Sequence, residues 1–120
     1  MTKKKRPDVL TGHTTKFKTG CSSLFITHNN LDDELFELRL NLGKSGSCVR
    51  GMLELIGILY STILQMDIDK VDKIKILKKH SQGISCGSPF TIGDKTYVSC
   101  LDLIAQETIK ELENGNKDEK

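Results

Sequence analysis

The sequence predicts an α+β domain, a three-stranded antiparallel sheet followed by three helices packed on one face. Two observations carry the prediction. Phe36, Leu38, Leu40 and Leu42 alternate with Glu37, Arg39 and Asn41, the period of a half-buried strand. From Val49 onward the period becomes helical, and two further helical stripes follow with no comparable strand pattern between them. Strands gathered first and helices gathered after place the helices on one side of a small sheet.

The elements follow in order. Arg6-Pro7-Asp8 disfavours helix before the proline, so residues 1–12 read as a basic lead-in. Thr14-Thr15-Lys16-Phe17-Lys18 is β-branched and aromatic and forms the first strand, broken by Gly20. Leu24-Phe25-Ile26-Thr27-His28 is the second. The turn formers Asn29-Asn30-Leu31-Asp32-Asp33 join it to the alternating third strand as a hairpin. After the small-residue loop Gly43–Ser47, the residues Val49, Met52, Leu53, Ile56, Leu59, Tyr60 and Ile63 keep helical spacing. With Leu55, Ile58 and Leu64 filling other faces, this helix reads as buried all round. Asp69 caps a second helix, whose inner face is Val71, Ile74, Leu77 and Lys78 and which stops at Gly83. Ile84 to Thr96 holds Gly87, Pro89 and Gly93 and reads as a loop with at most a short strand. Ser99-Cys100-Leu101-Asp102 fits a capping box and opens the third helix, with Leu101, Ile104, Ala105, Thr108, Ile109 and Leu112 as its stripe. The domain therefore spans 13–113, and 114–120 is a polar tail.

The chain has 120 residues, room for one domain. Eighteen Lys+Arg against sixteen Asp+Glu leave +2, which gives no whole-chain signature of a nucleic-acid binder. A nucleic-acid reading rests on Lys3, Lys4, Lys5, Arg6, Lys16 and Lys18 gathering on one surface. No apolar run is long enough for a membrane span. The basic N-terminus lacks the apolar stretch of a secretory signal. The expected location is cytoplasmic, a reducing compartment in which structural disulfides rarely persist. Gly43-Lys44-Ser45 is not a P-loop, because Leu38 stands where that motif needs its first glycine.

The four cysteines are the informative residues. Cys48 follows Ser47 at the start of the first helix, and Cys100 follows Ser99 at the start of the last. Free N–H groups and the positive end of the helix dipole meet a thiol there, and both favour thiolate, the form that binds metal. Cys21 and Cys86 sit beside Gly20 and Gly87 in loops. All four thus lie at junctions between elements, which favours a metal site over unrelated thiols. The spacing, 27, 38 and 14 positions, contains no C-x-x-C pair and leaves both readings standing. His13, His28 and His80 are not spaced as ligands; His28 reads as an exposed strand residue and His80 as a helix-end residue. Asp102 reads as the third residue of its capping box.

These segments resemble the TSCPD-domain family. Its motif stands here as Val98-Ser99-Cys100-Leu101-Asp102, with Leu101 in place of the motif's proline and Val98 in place of its threonine. Leu10–Lys16 with Thr19-Gly20-Cys21, Leu24–Asn29, Leu42–Cys48 and Gly83-Ile84-Ser85-Cys86 are similar to its other segments. The resemblance implies a metal site of Cys21, Cys48, Cys86 and Cys100 holding zinc, in a free-standing accessory module without activity of its own. The family is associated with the C-terminal region of adenosylcobalamin-dependent ribonucleotide reductases, so the implied partner is a protein, a reductase among the candidates, or a second copy of the chain. The arrangement is also similar to that of iron–sulfur cluster assembly scaffolds, which keeps an iron–sulfur or redox-active protein as the alternative. A metal-free interaction or nucleic-acid-binding domain is the third reading.

Overall fold

A computed structural model describes residues 5–20, 22–43, 47–81, 83–84 and 89–114. The strands are β1 (Thr11–Lys18), β2 (Ser23–Leu31) and β3 (Glu34–Leu42), followed by α1 (Ser47–Leu64), α2 (Lys70–His80), the short hairpin β4 (Phe90–Ile92) and β5 (Lys95–Tyr97), and α3 (Cys100–Asn114). The antiparallel sheet has the order β1-β2-β3. The α+β architecture read from the sequence is the one observed. The first strand opens at Thr11, earlier than expected, and the loop before α3 contains a two-stranded hairpin where at most a short strand was expected.

The β2–β3 connection is two residues, Asp32 and Asp33, both with positive φ, 53° and 66°. That is the conformation a tight hairpin turn needs, and aspartate tolerates it better than most non-glycine residues. The pairing slips once, between Asn29 and Asn30. Leu24, Ile26 and His28 on β2 stand opposite Leu42, Leu40 and Leu38 on β3 and share the core face. The other face is polar. Thr14 and Thr27 share a hydrogen bond of 2.7 Å across it, and Lys16 lies over the Phe25 ring.

Glu37 organises that polar face. Its carboxylate accepts from Arg6 Nε at 2.8 Å, from Asn29 Nδ2 at 2.8 Å and from Arg39 Nη2 at 3.4 Å. The lead-in is thereby tied to the sheet. Burial alone would push the Glu37 carboxyl up, but these hydrogen bonds and the Arg39 charge outweigh it and hold the group at about 2.

α1 runs along the open edge of β3. Ser61 Oγ accepts from the Leu38 N–H at 3.0 Å and donates to the Leu38 carbonyl at 3.2 Å. Gln65 Nε2 donates to the Phe36 carbonyl. Helix side chains thus occupy backbone groups that an edge strand would otherwise offer to another chain. Gly57 permits the approach, since a Cβ there would lie 3.1 Å from the Leu38 carbonyl oxygen. The buried stripe of α1 is narrow: Leu53, Gly57, Tyr60 and Leu64. The expectation of an all-round buried helix is corrected here. Met52, Leu55, Ile58 and Leu59 are 53–62% exposed, because α1 meets the sheet with one stripe only and no other element among the described residues covers its back.

α2 also sits differently from expectation. Leu77 is buried and Ile74 half-buried, but Val71 and Lys78 are exposed and Lys73 is buried instead. The cause is Lys73 Nζ, which donates to the Leu64 carbonyl at 2.7 Å and places a cation on the C-terminus of α1. Asp69 precedes α2 in extended backbone and makes no side-chain cap bond; the helix stops at His80, and Gly83 takes the positive φ of 84° beyond it.

Two outcomes are expected. On dilute protein, Leu55→Lys and Leu59→Lys each change the urea unfolding free energy by no more than about 0.5 kcal/mol, as surface substitutions do. Leu53→Ala on the opposite stripe costs about 2–5 kcal/mol. For Glu37, a carboxyl held at about 2 when folded and near about 4.3 when unfolded contributes stability that is present above about pH 4.3 and fades as pH falls toward about 2. Urea unfolding should therefore find Glu37→Gln less stable than wild type at pH 7, with the gap closing below pH 4.

Candidate metal centre

α3 begins as its sequence demands. The Ser99 hydroxyl accepts the Asp102 N–H at 3.0 Å, and its carbonyl accepts the Leu103 N–H at 3.1 Å. Ser99 is the N-cap and Cys100 the first helical residue. Asp102 reaches back as a capping-box residue does, but to the Val98 N–H, at 3.1 Å, one residue further than in the usual box. Its other oxygen accepts from the Gly83 N–H at 2.9 Å and from Gln106 Nε2 at 3.0 Å. Burial pushes the Asp102 carboxyl up, yet the hydrogen bonds from Gln106, Gly83 and Val98 and the charge of Lys95 bring it below its ordinary value. The Ser99 hydroxyl also donates to the Ile84 carbonyl. The chain two residues before Cys86 is therefore held against the residue before Cys100.

A second tether acts at the end of the sheet. The Gly43 N–H donates to the Ser23 carbonyl at 2.7 Å, so the chain leaving β3 toward Cys48 is held where β2 starts, two residues after Cys21. Of the four predicted ligands, Cys100 is half-buried and packs against the core, and Cys48 is exposed in the first turn of α1. Cys21 and Cys86 lie outside the described residues. Both described cysteines stand at helix N-termini, and the residue before Cys100 is hydrogen-bonded to Ile84, two residues before Cys86. Four thiolates are a donor set suited to zinc or an iron–sulfur cluster rather than to hard cations.

The sequence reading missed a different group. His28 is buried, 3% exposed, not an exposed strand residue. It alternates with Leu24 and Ile26 onto the core face, where α3 covers it and Thr108 Oγ1 lies 3.3 Å from its Nε2. His13 stands opposite it on β1, and His13 Nε2 lies 3.3 Å from Glu111 Oε2 on α3. Spacing along the chain hides this grouping. The hairpin register that pairs Lys18 with Ser23 also pairs His13 with His28, and that was the available signal.

The basic residues proposed for nucleic acid divide between two places. Lys5 and Arg6 line a groove of about 1050 Å³ between β3 and α1, while Lys16 and Lys18 line another beside Ser22 and Gly43. Arg6 and Arg39, in the larger groove, are engaged by Glu37. Lys3 and Lys4 lie outside the described residues. Among the described residues no helix is long and apolar enough to cross a membrane.

In the comparison with known families, the model described as TSCPD domain matches residues 1–110. The comparison with curated proteins finds no match, and neither does the comparison with solved structures.

Replacing Ser99 tests the architecture of this junction. Ser99→Ala is expected to cost about 1–2 kcal/mol in denaturant unfolding, the usual loss for an N-cap hydroxyl. It should also raise the rate at which Cys100 reacts with an alkylating reagent, since the same hydroxyl anchors Ile84 over the helix start.

Proposed function

Because the chain belongs to the TSCPD-domain family, we propose that it is an accessory module that holds zinc through Cys21, Cys48, Cys86 and Cys100 and acts through a protein partner. The observation that carries this reading is the pair of cysteines at the N-termini of α1 and α3, with Ser99 beside Cys100 bonded to Ile84, two residues before Cys86. Bound zinc would supply a closed, redox-inert cross-link. The protein's own part is to hold the thiols: Ser99 and Asp102 fix the start of α3 together with residues 83–84, and the Gly43–Ser23 bond holds the end of β3 against the start of β2. In a domain of this size such a link contributes directly to folding stability.

Action through a partner rests on α1. Met52, Leu55 and Leu59 follow one another at three- and four-residue steps along its outward side, and all are exposed. That is the spacing of a helix seam that pairs with another helix. The family's association with ribonucleotide reduction makes a reductase the first partner to test, and a second copy of the chain the next. The compartment we infer is the reducing cytoplasm, where thiolates stay available to metal.

Elemental analysis and an absorption spectrum, on untagged protein purified without oxygen, test the metal. About one zinc per chain that survives dialysis, with no visible absorption, is the expected result. Cys48→Ser and Cys100→Ser should each lose it, and chelation should lower the melting temperature. Iron with sulfide and a brown colour would replace this reading with cluster chemistry. A chelated protein that keeps its full thermal stability would remove the structural role.

A further inference from the structure

We propose a second metal site in this chain, formed by His13, His28 and Glu111, that takes a zinc-class divalent cation and leaves one position for water. It is independent of the cysteines. The ligand atoms offered by the three side chains lie within 4.8 Å of one another, and they are the only such group among the described residues. Donor atoms on one tetrahedral zinc sit roughly 3.3 Å apart, given bonds of about 2.0 Å. His13 Nε2 and Glu111 Oε2 are already 3.3 Å apart. His28 offers its ligand atom within 4.8 Å of both, so closing the site asks for a movement of up to about 1.5 Å.

The buried histidine is the second observation. His28 Nδ1 is buried with no hydrogen-bond partner. Its Nε2 faces Thr108 Oγ1, so a proton on Nε2 can be donated to that oxygen, leaving a lone pair on the other nitrogen. Metal-bound histidines commonly have such a partner on the far ring nitrogen, which fixes the tautomer and the ring. Burial, with a smaller contribution from His13, pushes His28 down to about 4, so the ring is neutral and able to ligate at neutral pH. An orphaned ring nitrogen in the interior is costly unless something meets it, and a cation does so.

Two imidazoles and one carboxylate suit zinc better than magnesium or calcium. Three protein ligands with a vacant fourth position are the pattern of an open zinc site, and His13 and Glu111, at 50% and 31% exposure, give it access to solvent. The ligands also join β1, the outer strand of the sheet, to α3. Bound metal would fasten that strand to the helix.

The test uses the whole chain and zinc ion alone. Isothermal titration should show wild type taking up about one zinc more than His13→Ala or Glu111→Gln. Both substitutions are at accessible positions, and circular dichroism without added metal checks their folding. Thr108→Val keeps the buried shape and should weaken this uptake by about 10- to 100-fold. Cys48→Ser should leave the difference intact, which separates this site from the thiols whatever the outcome there. Zinc should also shift the ring nitrogen resonances of His13 and His28. Equal uptake and affinity in wild type, His13→Ala and Glu111→Gln, or ring resonances that do not move, would overturn the proposal.

Discussion

The N-cap of α3 is the contact on which the arrangement depends. One serine hydroxyl and one carboxylate there gather three stretches of chain: residues 83–84 after α2, the end of the small hairpin at Val98, and the helix itself. Helix N-termini have free N–H groups that must be met. Here Ser99 meets one of them, and its hydroxyl proton is spent on a loop carbonyl rather than on water. The same residue pair therefore sets the helix start, the path of the preceding loop and the position of Cys100.

α1 solves a different problem. A three-stranded sheet with one apolar face has two open edges, and β3 is the one lined with large apolar residues. Ser61 and Gln65 satisfy the backbone of that edge, and Gly57 allows the helix close enough to do so. Packing a helix along an edge consumes only a narrow stripe of it. The remainder of an unusually apolar helix is consequently left facing solvent, and that is the feature that points to a partner.

Much of this was legible from residue order. The alternation in β3 and the change of period after Ser47 were enough for the α+β layout, and the S-x-x-D pattern located the start of α3 to the residue. What failed did so for identifiable reasons. Periodicity reports how apolar a helix is, not how much of it the chain can cover, so α1 was expected to be buried. On α2 the inner lysine was expected to be Lys78, and it is Lys73, because the reward for burying it is a carbonyl at the end of another helix. His28 was treated as a polar residue on a short strand, although its parity with Leu24 and Ile26 already placed it on the core face. Cys21 and Cys86 fall outside the described residues, so the cysteine set rests on the junction positions and on the family.

α3 links the two donor sets and keeps them apart. Cys100 is its first residue and Glu111 lies eleven positions on, about 16 Å along the axis at 1.5 Å per residue. The thiol end coincides with the positive pole of the helix, which favours anionic sulfur. The other end offers a carboxylate and, through Thr108, a hydrogen-bond partner for a buried imidazole. Ions on these two sets would compete little for ligands, since thiolates and nitrogen–oxygen donors differ in softness. A single helix capped by Ser99 would then hold the cysteine junction at one end and the outer strand of the sheet at the other. Loaded with both ions, this small core would have two cross-links at opposite ends of one helix.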